Sequence, residues 1–452
     1  MKKKYRNTKI SALFCIFLLV LTMFLPITLS KQPRSRAIIY VDGSADPSWY
    51  DATHVKTIQE GINNASAGDT VLVSTGTYYE NIIVNKSLII QGENRPSTII
   101  DGGGSGNVIQ ITAPLTTITN VTIRNAQSST MYSGVRISSD YNTITQNNIE
   151  NNPSRGILID TCSQQIISEN SITNNGEGIR LWYGTSTTIS NNTITNNQYA
   201  LRTWHSSHNH ILQNMMIGNT KYGIYDYNGN NNTISGNTIT GSIHGLRFDT
   251  SSFYVITNNS IVDNSHCGIY FTLQSNNNTI YNNYFDNPIN ANASEQLNRW
   301  NTTLSLGTNI INGSYIGGNY WSDYSGYDVD GDGIGETPYN SSQRIRGDFL
   351  PLTYPNYPPT ANFSFMPLVP TSIDIINFTD HSTDPDGLSD LNNWTWDFGD
   401  GTTSYEQHPN HSYAINGIYT VSLAIRDTQG ASDVTSQSRT VLNVEPIANF
   451  TV

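Results

Sequence analysis

The sequence predicts an all-β protein, a parallel β-helix solenoid followed by a small β-sandwich. The main observation is a repeat: Gly-Ile-x-Leu, a polar turn, Ile-x-x-Asn-x-Ile and an Asn-rich turn recur seven times from Gly134 to Phe285, every 22 or 23 residues. β-Branched residues dominate the apolar positions, whose spacings of 2 and 5 are not helical. A unit this short cannot bury its own apolar face, so successive units must stack.

The chain begins with a basic cluster, Lys2, Lys3, Lys4, Arg6 and Lys9. An almost unbroken apolar run from Ala12 to Leu29 follows. This pattern predicts a secretory signal peptide over residues 1–30, with an uncleaved N-terminal anchor as the alternative, and either one predicts export. Cleavage removes five positive charges and no negative ones, which takes the formal net charge from −12 to −17. Such an acidic surface argues against nucleic acid or an anionic membrane as partner.

The first rungs, over residues 37–125, are less regular than the later repeats. Within them, Val55, Ile58 and Ile62 stand at helical spacing. We expect a short amphipathic helix over His54 to Asn64 that closes the first rung, because a solenoid needs a cap at each end.

Aligned on their glycines, the repeats form columns. The glycine column is Gly134, Gly156, Gly178, Ala200, Gly223, Gly245 and Gly268. Apolar columns that begin at Val135, Ile144 and Ile149 are predicted to lie inside the solenoid. An asparagine column runs beside them, Asn147, Asn170, Asn192, Asn214, Asn237, Asn259 and Asn283. Each of these amides is predicted to donate to the asparagine one rung away.

Side chains two and four positions after each glycine are predicted to face solvent, because side chains alternate along a strand. The first outward column is Arg136, Leu158, Arg180, Arg202, Tyr225, Arg247 and Tyr270. The second is Ser138, Asp160, Trp182, Trp204, Tyr227, Asp249 and Thr272. Aromatic rings stack on sugars, and arginines donate to hydroxyls and carboxylates. The candidate polysaccharide-binding residues are Arg180, Trp182, Arg202, Trp204, Tyr225, Tyr227, Arg247 and Tyr270. The alternative is that they only brace the sheet or pack under a loop.

The same face offers weaker candidates for catalysis. Asp160 and Asp249 lie four rungs apart, roughly 19 Å at the usual strand spacing, which is too far for the two carboxylates of a glycosidase. A polysaccharide lyase or epimerase needs a base beside cations, and Asp249 near Arg247 and Arg202 is the best candidate. Binding without catalysis is the favoured interpretation.

Asp226 is an anomaly among the inward positions. It belongs to the column Ile137, Ile159, Leu181, Thr203, Asp226, Phe248 and Phe271. A buried carboxylate is costly unless it is hydrogen-bonded. We therefore expect Asp226 either to bond to Thr203 one rung away or to turn outward at a bulge, where it would be a second acid near Asp249.

The segment DVDGDGIGE places Asp328, Asp330, Asp332 and Glu336 at positions 1, 3, 5 and 9, with glycines between them that allow a tight wrap. Oxygen ligands at alternate positions suit Ca²⁺. The segment is not an EF-hand, because position 12 is Tyr339 rather than an acid. A calcium-stabilised loop is expected, with a solvated acidic turn as the alternative.

Two stretches carry a family resemblance. TIQEGINNASAGDTVLVSTGTYYENIIVNKSLIIQG (57–92) is similar to the opening of pectin-lyase-like right-handed β-helices. With the repeats and with GTNIINGSYIGGNYWSDYSGYDVDGDGIGETPY (307–339), residues 37–350 resemble the NosD-like family, often labelled periplasmic copper-binding. The resemblance implies the right-handed fold. It does not imply one activity, because that fold hosts lyases, hydrolases, epimerases and pure binding proteins.

The copper label directs attention to His205, His208 and His210 near Met215 and Met216, since nitrogen and thioether ligands suit copper. Met216 belongs to the inward apolar column, and neither a local Cys nor a repeated Met motif accompanies the histidines. A polar turn is therefore the favoured interpretation, and copper handling is a further alternative function.

A proline-rich linker, residues 351–359, precedes a second module over 360–444. Its segments STDPDG (382–387), WDFGDG (396–401), HSY (411–413) and GIYTVSLAIRD (417–427) resemble a PKD domain, an immunoglobulin-like sandwich. The alternation of Tyr419, Val421, Leu423 and Ile425 independently predicts a half-buried strand. Residues 445–452 repeat the opening of this module, so we expect a truncated second copy and a missing continuation.

Together these patterns predict an exported cell-surface protein. The β-helix is expected to bind an extracellular glycan or surface-layer component, and the PKD domain to act as a spacer or adhesion module. Membrane contact is expected only through the N-terminal segment or a missing C-terminus.

Overall fold

The computed structural model describes residues 36–272, 274–293, 297–340, 345, 347–354 and 356–444. The predicted signal peptide and the predicted start of a second PKD copy lie outside these residues. Among the described residues, every helix is too short or too polar to cross a membrane.

The predicted parallel β-solenoid is confirmed: the chain winds through three parallel sheets in about ten turns. Sheet 1 contains Ile38–Val41, His54–Val55, Thr70–Val73, Ile89–Gly92, Thr117–Thr119, Thr143–Thr145, Ile166–Ser168, Thr188–Ser190, His210–Leu212, Thr233–Ser235, Val255–Thr257 and Thr279–Tyr281. Sheet 2 contains Gly76–Tyr79, Thr98–Asp101, Thr122–Arg124, Asn148–Glu150, Ser171–Thr173, Thr193–Thr195, Met215–Ile217, Thr238–Thr240, Ser260–Val262, Tyr284–Asp286 and Tyr320–Trp321. Sheet 3 contains Ile82–Val84, Ile109–Ile111, Ser133–Ile137, Arg155–Asp160, Glu177–Trp182, Tyr199–Trp204, Tyr222–Tyr227, His244–Asp249, Cys267–Thr272 and Ile289–Ala293.

The interior of the solenoid is built from the predicted apolar columns. Ile157 pairs with Ile179, and Ile179 with Leu201, in successive strands of sheet 3. The columns of sheets 1 and 2 stack in the same way, and all their members are buried. Because each rung places like side chains on like, the core continues along the whole solenoid.

The predicted asparagine ladder is present at the corner between sheets 1 and 2. The Asn192 side-chain amide donates to Asn214 Oδ1 at 3.0 Å, and the main-chain N–H of Asn192 donates to the same oxygen at 3.0 Å. In each rung the residue before the ladder asparagine has a left-handed backbone, for example Gln213 at φ 55°. The ladder therefore satisfies the polar groups that this sharp turn would leave buried without partners.

A second ladder, which the sequence analysis missed, occupies the corner between sheets 2 and 3. Asn152, Asn175, Asn197 and Asn219 bond in series, with amide distances of 3.1 Å. The corner between sheets 3 and 1 carries a mixed series, in which Asn209 donates to Asn232 at 3.0 Å. Buried amides thus line all three corners of the solenoid.

The first rung is capped by a helix that is shorter than predicted. The helix comprises Ile58–Asn64, whereas His54–Val55 form a strand paired with Tyr40 and Val41 of sheet 1. Thr57 ends the extended segment and is the N-cap of the helix. Its hydroxyl accepts a hydrogen bond from the main-chain N–H of Glu60, and the Glu60 carboxylate accepts one from the main-chain N–H of Thr57. Ile58 and Ile62 are buried against the core, as the cap requires.

The last rung is closed by a segment that returns to the end of the ladder. Asn283 donates to Asn319 Oδ1 at 2.9 Å, and Asn319 donates its main-chain N–H to Asp348 Oδ2 at 2.6 Å. Trp321 Nε1 donates to the same carboxylate at 3.0 Å. A hairpin of Ser305–Leu306 and Tyr315–Ile316 lies within this segment.

The second module has two antiparallel sheets. One contains Phe363–Met366, Ile376–Asp380 and Asn410–His411; the other contains Leu391–Asp397, Thr403–Ser404, Gly417–Asp427 and Ser432–Val441. Short 3-10 helices span Pro47–Trp49 in the solenoid and Leu388–Asp390 here. Val421, Leu423 and Ile425 are buried and alternate with more exposed neighbours, as predicted. Val421 and Leu423 pack with Trp396 and Phe378 in an immunoglobulin-like core, and Ile425 packs in a smaller cluster with Ala361 and Leu391.

Candidate functional site

The outer surface of sheet 3 brings the eight predicted ligand-binding residues together. Two columns of register partners cross the successive strands of this surface. The first column is Arg180, Arg202, Tyr225, Arg247 and Tyr270, and the second is Trp182, Trp204 and Tyr227. We call these eight residues the Arg/Trp/Tyr face. Its side chains are half-buried, and Arg180 is only 9% exposed, because neighbouring rungs cover much of each side chain.

The aromatic rings of this face form a stack. Trp182 and Trp204 lie 5.5 Å apart between ring centroids with planes 14° from parallel, and Trp204 and Tyr227 lie 4.3 Å apart at 23°. Trp204 is therefore covered on both faces. Trp182, at the end of the stack, contacts Trp204 on one side; towards the preceding rung its register partner is Asp160, and the Arg180 guanidinium lies over its ring, 4.9 Å from the centroid.

Glu177 organises the arginines and was missed by the sequence analysis. It accepts from Arg155 Nε at 3.1 Å, Arg180 Nη1 at 3.1 Å and Arg202 Nη1 at 2.7 Å. Glu177 begins its strand one position before the glycine, in an outward column that continues through Tyr199, Tyr222 and His244. Three guanidinium groups around one carboxylate leave a local charge of +2 in an acidic protein.

A cleft of about 310 Å³ lies where the aromatic stack ends. It is lined by Thr130, Met131, Arg136, Arg155, Leu158, Asp160, Arg180 and Trp182. The cleft exists because Leu158 and Asp160 are shorter than Arg180 and Trp182, their partners in the next rung. We call it the Trp182 cleft.

The carboxylate of Asp249, the weak candidate for a catalytic base, is fully engaged. Oδ2 accepts from the Tyr225 hydroxyl at 2.9 Å, and Oδ1 accepts from the Thr272 hydroxyl and from Arg247 Nε at 3.4 Å. Asp249 is 5% exposed, and Arg202 bonds to Glu177 instead. Burial and the nearby Asp249 carboxylate raise the pKa of the Tyr225 hydroxyl, which keeps it a donor. This arrangement suits a structural network better than a base open to substrate.

Asp226 points into the core, so the outward bulge considered for it is wrong. Its carboxylate accepts from the hydroxyls of Thr203 and Ser251 and from the main-chain N–H of Gly229 at 3.1 Å. The side chain is fully buried, and burial raises its pKa. Because strand pairing continues without interruption from Thr203 through Asp226 to Phe248, Asp226 contributes nothing to the outer surface.

The acidic loop gathers three of its four predicted ligands. Carboxylate oxygens of Asp328, Asp330 and Asp332 lie within 4.8 Å of one another. Glu336 does not join them, and its Oε1 accepts from the main-chain N–H of Val329 at 2.9 Å. Asp328 is buried and accepts from the N–H groups of Gly331 at 2.8 Å and Gly333 at 2.7 Å. Burial raises the pKa of Asp328, and the neighbouring carboxylates raise it further. Both effects disfavour the ionised carboxylate, and a bound cation would oppose them.

The PKD module contains a second acidic group, which the sequence analysis did not single out. Carboxylate oxygens of Asp384, Asp390 and Asp427 also lie within 4.8 Å of one another. Their separation of up to 43 residues in the sequence hid the group, since no local spacing signals it. Any chelator experiment must therefore separate the two groups.

The histidines considered for copper do not converge with Met216. His205 stacks on Tyr183, with centroids 4.9 Å apart, and its Nδ1 lies 2.7 Å from Asn228 Nδ2. Met216 is fully buried in the core, whereas Met215 points outward. A surface copper ion at His208 or His210 therefore has no access to the Met216 thioether.

Three family models match the chain. Residues 90–239 match the right handed beta helix region, residues 204–326 the periplasmic copper-binding protein (NosD), and residues 356–442 the PKD domain. The recognition made from the sequence is thus confirmed: a right-handed β-helix with NosD similarity precedes a PKD domain.

Relatives match only parts of the chain. A microbial collagenase of Vibrio alginolyticus is 44% identical over 52 residues, which is 12% of this chain and 6% of the collagenase. The PKD1 domain of Vibrio anguillarum Epp is 35% identical, with a TM-score of 0.17, over 19% of this chain and 95% of that domain. The enzymatically active domain of bacteriophage CBA120 tailspike protein 2 is 14% identical, with a TM-score of 0.45, over 85% of this chain and 68% of that domain. The chain thus spans less than a tenth of the matched collagenase.

Proposed function

We propose that this protein is an exported, surface-exposed polysaccharide-binding protein, and that the Arg/Trp/Tyr face binds the glycan. The PKD domain is proposed to act as a spacer or adhesion module. The observation that carries the proposal is the Trp182 cleft, in which the indole of Trp182 and three arginines line one depression at the end of the aromatic stack. A location outside the cytoplasm fits the periplasmic family named for residues 204–326.

The stacked geometry refines how a sugar would bind. Stacked rings present their edges to solvent, and Trp204 has a ring neighbour on each side, so Trp204 supports the stack rather than offers a ring face. Trp182 lines the cleft at the end of the stack, where a pyranose ring would pack against the indole through its C–H groups. Binding without catalysis is favoured because both oxygens of Asp249 are engaged.

Replacing Trp182 with alanine is expected to weaken polysaccharide binding about 30-fold, the effect of losing about 2 kcal/mol at a central aromatic contact. Trp204→Ala is expected to weaken it less, because Trp204 only supports Trp182 from behind. The measurement is a dissociation constant from calorimetry, for glycans first selected on a polysaccharide array.

Trp182→Phe serves as the conservative control and should retain most of the affinity, because it keeps an aromatic face. Tyr79→Ala removes an aromatic side chain that is 75% exposed in sheet 2 and should change nothing. Unchanged binding by Trp182→Ala would refute the proposed site. Release of unsaturated uronate products during incubation would instead favour the lyase alternative.

We also propose that the loop at Asp328, Asp330 and Asp332 binds Ca²⁺ and thereby stabilises the end of the solenoid. Adding a chelator is expected to lower the unfolding temperature by a few degrees, because losing about 3 kcal/mol of binding free energy shifts it by about 1–2 °C per kcal/mol in a unit of roughly 300 residues. The Asp328→Asn variant should lose the part of the calcium response that belongs to this loop. A chelator shift of the same size in Asp328→Asn and in the unmodified protein would refute the loop as the site.

A further inference from the structure

We infer that the glycan is anionic, and that the Trp182 cleft is the subsite that binds a carboxylate-bearing sugar unit. This inference rests on the proposed function and adds the charge class of the ligand. It starts from the contrast between the cleft and the rest of the molecule. The chain has a formal net charge of −12, yet three arginines line this cleft beside one aspartate.

Two of the three arginines of the cleft, Arg155 and Arg180, are not fully neutralised by their own partner. Arg136 and Asp160 pair with each other, through Nη2 and Oδ2 at 2.5 Å, and cancel in charge. Arg155, Arg180 and Arg202 share the single carboxylate of Glu177. The remaining +2 charge has no counter-ion among the described residues, which favours an anionic ligand.

Donors for that ligand are available and held in place. Arg180 uses only Nη1, towards Glu177, and Arg155 uses Nε for Glu177 and Nη1 for the Thr130 carbonyl at 2.5 Å. The other nitrogens of Arg180 and Nη2 of Arg155 donate to no described residue. Burial lowers the pKa of Arg180, and an anion in the cleft would oppose that effect. Guanidinium groups fixed in this way bind carboxylates with well-defined geometry.

The position of Trp182 completes the subsite. Arg180 lies over the Trp182 ring, with the guanidinium carbon 4.9 Å from the ring centroid. A sugar unit that packs against Trp182 in the cleft therefore places a substituent within reach of Arg155 and Arg180, which line the same cleft. A neutral sugar would leave these cationic groups without compensation, and it should bind more weakly.

The inference is tested with oligosaccharides of galacturonate, mannuronate and glucuronate and with their carboxyl-reduced, neutral counterparts. We expect at least one acidic oligosaccharide to bind, and its reduced form to bind about tenfold more weakly, the effect of one charge-assisted hydrogen bond. Arg155→Gln should remove this preference, and added salt should weaken only the acidic form. Arg124→Gln, which alters an arginine of sheet 2, is the matched control.

The outcomes separate this inference from the proposed function. Equal affinity for acidic and reduced forms, or binding of neutral glycans alone, overturns the inference. If that binding still depends on Trp182, the proposed function stands. A preference for acidic forms that survives in both Arg155→Gln and a folded Arg180→Gln variant overturns the assignment to the Trp182 cleft. Absence of binding to every acidic and neutral probe contradicts both proposals.

Discussion

The Asn214→Ala variant is expected to lose about 2–6 kcal/mol of unfolding free energy, because it interrupts the ladder at a fully buried position. Asn214 Oδ1 accepts both the main-chain and the side-chain N–H of Asn192, and its amide donates to the Ile189 carbonyl at 2.9 Å. Alanine leaves the Asn192 N–H and the Ile189 carbonyl buried without these partners. Each such group costs about 1–3 kcal/mol, and chemical denaturation followed by circular dichroism measures the loss.

Two further variants distinguish lost hydrogen bonds from lost volume. Gln198→Ala removes an exposed amide from a neighbouring rung and should leave stability unchanged. Asn214→Asp keeps an acceptor for Asn192 but turns a carboxylate oxygen towards the Ile189 carbonyl and Asn237 Oδ1. Its stability should fall as the pH rises and the carboxylate ionises. An Asn214→Ala midpoint equal to that of Gln198→Ala would contradict the role given to the ladder.

The repeat period made the interior of the solenoid predictable and left much of its exterior open. Inward columns and the ladder at Asn147 follow from spacing alone, because a side chain inside a rung has one possible neighbour above and one below. The second ladder at Asn152 was as regular, but the surrounding runs of asparagine obscured its phase. Its signal was the Asn-Asn pair that follows the third apolar column in three successive rungs, at residues 151–152, 174–175 and 196–197.

On the outer surface of the sheets, the direction and the partners of a side chain are decided by contacts that no repeat period encodes. Glu177 meets arginines from its own rung and from the rungs on either side, so its role needed the three-dimensional register. Trp182 and Trp204 were predicted on one face, but whether their ring faces are open depends on stacking. Asp226 was ambiguous because hydrophobic pattern alone cannot tell a satisfied buried acid from a bulge.

The Asp348→Asn variant is expected to flatten the dependence of stability on pH between about pH 4 and pH 7. Asp348 is fully buried, and burial raises its pKa from 3.8 to about 7 although four N–H groups donate to it. A raised pKa in the folded state means that the native protein holds this proton more tightly than the unfolded chain. The stabilisation is therefore complete below about pH 4 and is lost as the pH rises through about 7, with a slope of up to about 1.4 kcal/mol per pH unit.

This pH window separates Asp348 from the acids whose pKa is lowered in the folded protein. Hydrogen bonds from Thr53 hold the pKa of Asp51 below its usual value, so its contribution grows as the pH rises and is complete above about pH 4. Asparagine at 348 presents an amide to surrounding donors and should lower stability by an amount that does not vary with pH.

The informative quantity is thus the slope of unfolding free energy against pH, compared between Asp348→Asn and the unmodified protein in denaturant titrations at pH 4 to 8. Asp286→Asn, at an exposed position of sheet 2, should keep the slope of the unmodified protein. Equal slopes for Asp348→Asn and Asp286→Asn would show that Asp348 is ionised in the folded state throughout this range.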